Sequence, residues 1–118
     1  MSNARHIVEQ FHGHFANKDW TRARELLHDE LSFEGPIDRF SRADDYIQAV
    51  KRLDAICKRV EVLKVMSDDT DVCVIWNMIT DTPIGTAPIA EWFHVNGEKI
   101  DAIRVFFDAR PFAAMFGK

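Results

Sequence analysis

The run Ala87-Pro88-Ile89-Ala90-Glu91-Trp92-Phe93-His94-Val95, followed by Asn96-Gly97, constrains the fold of this chain more than any other stretch. It has the length and residue types of a strand, and Asn-Gly behind it is the strongest short signal for a tight hairpin. Side chains alternate faces along a strand, so Ile89, Glu91, Phe93 and Val95 share one face. Three of these are apolar. That face therefore turns inward and takes Glu91 with it. A carboxyl among apolar side chains is costly unless it is paired, hydrogen-bonded or protonated, and groups held at such cost mark candidate functional sites. The competing reading buries Pro88, Ala90 and Trp92 instead, leaving Glu91 in solvent or paired with Arg104.

The rest of the chain supplies what such a hairpin packs against. Ile7, Val8, Phe11 and Phe15 fall at helical spacing and predict an amphipathic helix over residues 3–16. Asn17-Lys18-Asp19 breaks it, and Asp19 is placed to cap a second helix carrying Trp20, Ala23, Leu26 and Leu27. Residues 31–34 read as a short strand ended by Gly35-Pro36. Ser41 followed by Asp44 resembles a capping box and opens a third helix with Tyr46, Ile47, Val50 and Leu53 on one stripe. After Cys57 the period becomes extended. Residues 60–66 and 72–80 form two strands, and 86–95 with 99–107 form the hairpin. Helices first and consecutive antiparallel strands last is the α+β pattern.

Composition narrows the function classes. The 118 residues suffice for one domain, 1–118, with 47% hydrophobic and 29% charged residues. A net charge of −4 argues against a nucleic-acid partner, which needs a concentrated basic surface. Lys51-Arg52 and Lys58-Arg59 read as solvated helix ends. No apolar run approaches membrane-spanning length and no secretory signal is evident, so no membrane partner is expected and the cytoplasm is the expected compartment. The two cysteines, Cys57 and Cys73, have no metal or redox spacing and read as free thiols. His12 and His14 lack the i, i+4 spacing of a helical metal pair, so no metal and no cofactor are expected.

Several local signatures, in order, carry a resemblance: Asn17-Lys18-Asp19-Trp20; Leu27-His28-Asp29-Glu30-Leu31-Ser32-Phe33-Glu34-Gly35-Pro36; Glu91 through Ile100; and Ile103-Arg104-Val105-Phe106-Phe107-Asp108. Together they resemble the nuclear transport factor 2-like superfamily, and within it the SnoaL-like polyketide cyclases, with ketosteroid isomerases and limonene-epoxide hydrolases as relatives. The resemblance implies a cone-shaped, cystatin-like roll, with three N-terminal helices packed on a strongly curved, mostly antiparallel sheet. It also implies a pocket between helices and sheet for a small organic ligand, and a homodimer formed through the outer sheet face.

The resemblance also says which family chemistry the residues keep. The isomerase base position, before the proline of the first strand turn, is Gly35. The position of the isomerase oxyanion tyrosine is Phe11. Glu91 stands where the isomerases hold a protonated acid, two residues before Phe93. The hydrolase aspartate position is Val105, and the hydrolase Arg and Asp positions fall near Asn77 and Ile79. The candidate catalytic residues are thus Glu34 and Glu91, with Phe11, His14, Phe33, Asn77, Phe93 and Val105 lining the ligand site. Two carboxyls in one cavity would divide the work. The drier one stays protonated and donates to an oxyanion, and the other takes a proton from an acidic carbon. That chemistry suits a cofactor-free isomerase or cyclase. The alternative class is a non-catalytic ligand-binding or interaction module, with Glu34 bridged to Arg39 and Asn77 a satisfied structural amide.

Overall fold

The computed structural model describes residues 3–116, with the backbone alone at Phe116. In chain order it contains α1 (Ala4–Ala16), α2 (Trp20–Glu25), β1 (Leu27–Glu34), β2 (Arg39–Phe40), α3 (Ala43–Asp54), β3 (Cys57–Ser67), β4 (Asp71–Thr80), β5 (Thr86–Asn96), β6 (Lys99–Phe106) and α4 (Arg110–Phe116). The strands form one sheet in the order β2-β1-β6-β5-β4-β3. Every neighbouring pair is antiparallel except β1 with β6, which is parallel. Register shifts fall in the β1–β6 pair, twice in β3–β4 and once in β5–β6. Such bulges bend strands and tighten their twist, which curves the sheet around the helices. The α+β roll with helices before a curved, mostly antiparallel sheet is the expected architecture. A fourth helix at the C-terminus is added, and its Phe112 is buried against Phe107.

The concave face is apolar by alternation. β4 turns Val72, Val74, Trp76 and Met78 inward, β5 turns Ala87, Ile89, Glu91, Phe93 and Val95, and β6 turns Ile100, Ile103 and Val105. α1 closes this face with Ile7, Val8, Phe11 and Phe15. Burial of these side chains, at roughly 1.5–3 kcal/mol each, is what holds helix to sheet.

Local chemistry fixes the connections. The Asp19 carboxylate accepts from the Arg22 backbone N–H at 3.2 Å and caps α2. Lys18 sits at φ +61° and sends its ammonium to the Asp54 carboxylate at 2.7 Å, tying the first turn to the end of α3. The Ser41–Asp44 capping box does not form. α3 starts one residue later than that pairing requires, with Arg42 in the cap position and no side-chain cap, and Asp44 and Asp45 in the first turn. The hairpin turn is also offset by one. Asn96 still pairs with Lys99, so Gly97 and Glu98 make the loop. Gly97 takes φ +69° while Glu98 does not have positive φ, the pattern of a type II′ turn rather than the type I′ turn that Asn-Gly favours. No described helix is long and apolar enough to cross a membrane.

Candidate functional site

Glu91 is buried, at 6% exposure, on the concave face. In the ladder it lies opposite Val74 on β4 and Val105 on β6, so its nearest cross-strand neighbours are aliphatic. Trp76, two residues along β4 on the same face, reaches it diagonally. The Trp76 indole Nε1–H donates to Glu91 Oε1 at 2.8 Å. From the opposite wall, His12 of α1 places Nε2 3.0 Å from the same oxygen. The carboxyl that looked isolated in the sequence therefore has two partners, which is how a chain tolerates it.

His12 is itself 7% exposed. Its ring is packed by Trp76, Phe15 and Phe93, with centroids at 5.2, 6.1 and 6.1 Å. An indole only donates, and a carboxylate only accepts. With Glu91 as the acceptor of both bonds, the hydrogen-bond pattern assigns the His12 proton to Nε2. His12 Nδ1 is then a bare lone pair, and it is buried with no hydrogen-bond partner. Tyr46 of α3 is 1% exposed nearby. Burial first, and then the negative charge of Glu91, hold its phenol well above the ordinary value near 10, so it remains protonated.

A cleft of about 270 Å³ opens beside this cluster, between α1 and the β3 edge of the sheet. His12 and Gly13 form one wall, and Val60, Val62, Val65 and Val74 the other. A second hollow of about 330 Å³ lies at the far end of the hairpin, against His28, Asp29, Glu30, Asn96 and Asp101. It shares no residue with the buried cluster. Among the described residues no three His, Cys, Asp or Glu side chains are grouped to hold a metal ion. Burial raises both thiols, Cys57 and Cys73, so neither is a poised nucleophile.

The residues expected from the sequence divide between the two faces. Phe11 and Phe93 meet edge to face at 5.9 Å, and Val105 lies opposite Glu91, all on the concave side. Phe33 is also inward, against Tyr46 at 4.8 Å. Glu34 is not with them. It bonds Arg39 at 2.6 Å and lies 3.5 Å from Arg104, whose neighbours Trp92 and Phe106 stand exposed on the convex face. Arg39 also holds the Glu34 carboxyl below the usual range, as a surface ion pair does. Asn77 is likewise convex: it shares alternation with Cys73 and Ile75, and donates to Glu61 at 2.9 Å. The expected pair of pocket carboxyls is therefore separated by the sheet, and Glu91 works with His12 instead. His14 is half-buried and lies off the buried stripe of α1.

His12, Trp76 and Tyr46 were not among the expected site residues. The helical period held the signal for His12, which stands four after Val8 and three before Phe15, whereas His14 does not.

His94, on the convex side of β5, gives a pH prediction. Its Nδ1 lies 2.6 Å from Asp101, and Asp71 lies 4.0 Å from Nε2. The Asp101 hydrogen bond raises the imidazole above its ordinary 6.5. A group raised on folding adds stability that is complete below 6.5 and is lost as pH rises through the folded value. Thermal melts of the native protein and His94→Gln should thus converge as pH rises past neutrality; a constant difference would contradict the pairing.

This curved roll, with a polar cluster between the first helix and the fifth strand, belongs to a known structural class. The SnoaL-like domain family matches residues 8–103, and the chain belongs to that family. Among solved structures, a protein from Kribbella flavida superposes with TM-score 0.90 at 23% identity, over 98% of this chain and 96% of that one. An NTF2-like protein from Cytophaga hutchinsonii gives 0.82 at 21%, over 95% and 96%. An LEH-like epoxide hydrolase from M. tuberculosis gives 0.76 at 18%, over 98% and 97%. At these identities the likeness is one of fold. No curated protein matches the sequence.

Proposed function

We propose that this SnoaL-like domain is a cofactor-free acid–base catalyst, of the isomerase or cyclase type, acting on a small organic molecule at the His12–Glu91–Trp76 cluster. The observation that carries the reading is the bare, buried Nδ1 of His12 on an imidazole oriented by Glu91. A histidine serving only to pack has no need to leave a buried nitrogen unpaired, and the arrangement is that of a carboxylate-oriented general base. In the reaction, Nδ1 takes a proton from a carbon beside a carbonyl, and Glu91 stabilises the imidazolium that forms. The same nitrogen then returns the proton at a different position, or to the product oxygen after ring closure. This replaces a two-carboxyl mechanism, because Glu34 faces away. The non-catalytic binding module of the same fold is the rival.

A homodimer through the convex face forms part of the proposal. Trp92 and Phe106 are 41% and 50% exposed there, with Arg104 stacked over both rings. Two free cysteines fit a reducing compartment such as the cytoplasm.

The test uses exchange of the α-protons of cyclohexanone into heavy water, followed by NMR. The native protein should accelerate it, His12→Gln should lose about 10²–10⁴-fold of that acceleration, and Glu34→Gln should leave it unchanged. Exchange no faster than buffer, or equal in His12→Gln, would favour the binding module.

A further inference from the structure

Gly13 has no conformational reason to be glycine. It lies inside α1, where glycine is the least favourable residue except proline. Its φ is not positive, and a Cβ built on it meets nothing within 4 Å. Neither backbone strain nor close packing accounts for it. What lies beside it is the cleft, with His12 next to it in the same wall. A side chain at this position would project into space that the cleft keeps open.

The cleft's chemistry is as restricted as its shape. The facing wall is valine, at Val60, Val62, Val65 and Val74. No Lys or Arg lines it; Glu9 does, and its exposed carboxylate bridges only to Arg5 at 3.4 Å. Beneath the wall, Glu91 holds the Nε2 side of His12. An anionic ligand would find two carboxylates and no cation. The unmade hydrogen bond is that of an acceptor, so its complement is a donor. A volume of about 270 Å³ falls just under the range of roughly 300 Å³ upward that drug-sized ligands occupy, which suits a single ring.

We propose that the α1–β3 cleft binds a neutral, single-ring-sized apolar molecule carrying one hydrogen-bond donor, with His12 Nδ1 as the acceptor and Gly13 as the position that sets which ligands fit. The proposal rests on the reading of His12 as the reactive group and adds to it the substrate class and the route of approach. An enol or phenol hydroxyl satisfies the description; a carboxylate does not.

Binding is tested with three probes, p-cresol, toluene and benzoate, by ring-nitrogen NMR of His12 and by titration calorimetry. p-Cresol should bind and shift the His12 Nδ1 resonance. Toluene, lacking the donor, should bind about tenfold more weakly, the scale of one unmade hydrogen bond. Benzoate should not bind. Gly13→Leu should weaken p-cresol at least about tenfold while melting no lower than the native protein, because leucine is the better helix former and meets no neighbour. Val62→Trp, from the opposite wall, should act likewise if Gly13→Leu folds poorly. Benzoate binding more tightly than p-cresol, or full p-cresol affinity in both cleft variants, would overturn the proposal. If p-cresol binds as stated but cyclohexanone exchange is absent, the catalytic reading fails and the ligand site stands. If exchange is present and Gly13→Leu leaves it untouched, the cleft fails and the His12 base stands.

Discussion

Glu91→Ala should destabilise the protein by about 3–5 kcal/mol, the range seen when one partner of a buried pair is removed. The carboxyl is the only hydrogen-bond partner found for the Trp76 indole N–H and for His12 Nε2, and all three side chains are buried. Truncation leaves two donors unpaired in an apolar surrounding, each costing about 1–3 kcal/mol, together with the space of the lost side chain. Glu91→Gln should cost much less, since the amide oxygen can accept both bonds, yet it removes the charge that would stabilise a His12 imidazolium. The two variants thus separate stability from chemistry: alanine collapses the cluster, while glutamine keeps the fold and loses proton transfer. Urea unfolding measures the first and cyclohexanone exchange the second. A loss below about 1 kcal/mol in Glu91→Ala would mean that the cluster does not hold helix to sheet.

The partners of Glu91 show what the sequence could and could not disclose. Alternation placed Glu91 correctly because β5 has one clearly apolar parity, Ile89, Phe93 and Val95. β4 offers no such contrast. Val72-Cys73-Val74-Ile75-Trp76 is apolar on both parities, and the sheet is crowded on both faces there. Only Asp71 and Asn77, which share a parity, mark that side as the convex one, and Asn77 was expected in the pocket instead. At β1, Phe33 and Glu34 were both expected to line one site, although neighbours on a strand point to opposite faces. The structure resolves this in favour of Phe33, and sends Glu34 to Arg39. His12 was hidden for a different reason. Its role needs a partner 79 positions away, and the contact between α1 and β5 is set by the curvature of the sheet. That curvature comes from register shifts no local pattern announces. Fold class, by contrast, follows from the order of periodicities, which survives errors of a residue or two at each boundary.

Phe93→Ala should be the second large effect, at about 3–5 kcal/mol. Phe93 is fully buried and stands opposite Val72 on β4 and Ile103 on β6. Its ring meets Phe11 edge-on at 5.9 Å and His12 at 6.1 Å, so it supports both the helix and the imbalance that defines the candidate base. Removing it leaves a cavity bordered by two elements that are locked by the rest of the core and can relax only in part. Trp92, the preceding residue, is the control. It is the larger side chain, but it is 41% exposed on the convex face, where it bonds Asp71 and stacks on Arg104. Trp92→Ala should cost about 1 kcal/mol or less in a monomer, since exposed polar and stacking contacts contribute at that scale. Urea unfolding of the two variants, with the slope against denaturant unchanged, reads the difference directly. Adjacent residues on one strand, ranked in the reverse order of their size, would locate the core on the Glu91 face. Equal losses would put Trp92 in a buried interface, and a larger loss at Trp92 than at Phe93 would invert the face on which the whole site is built.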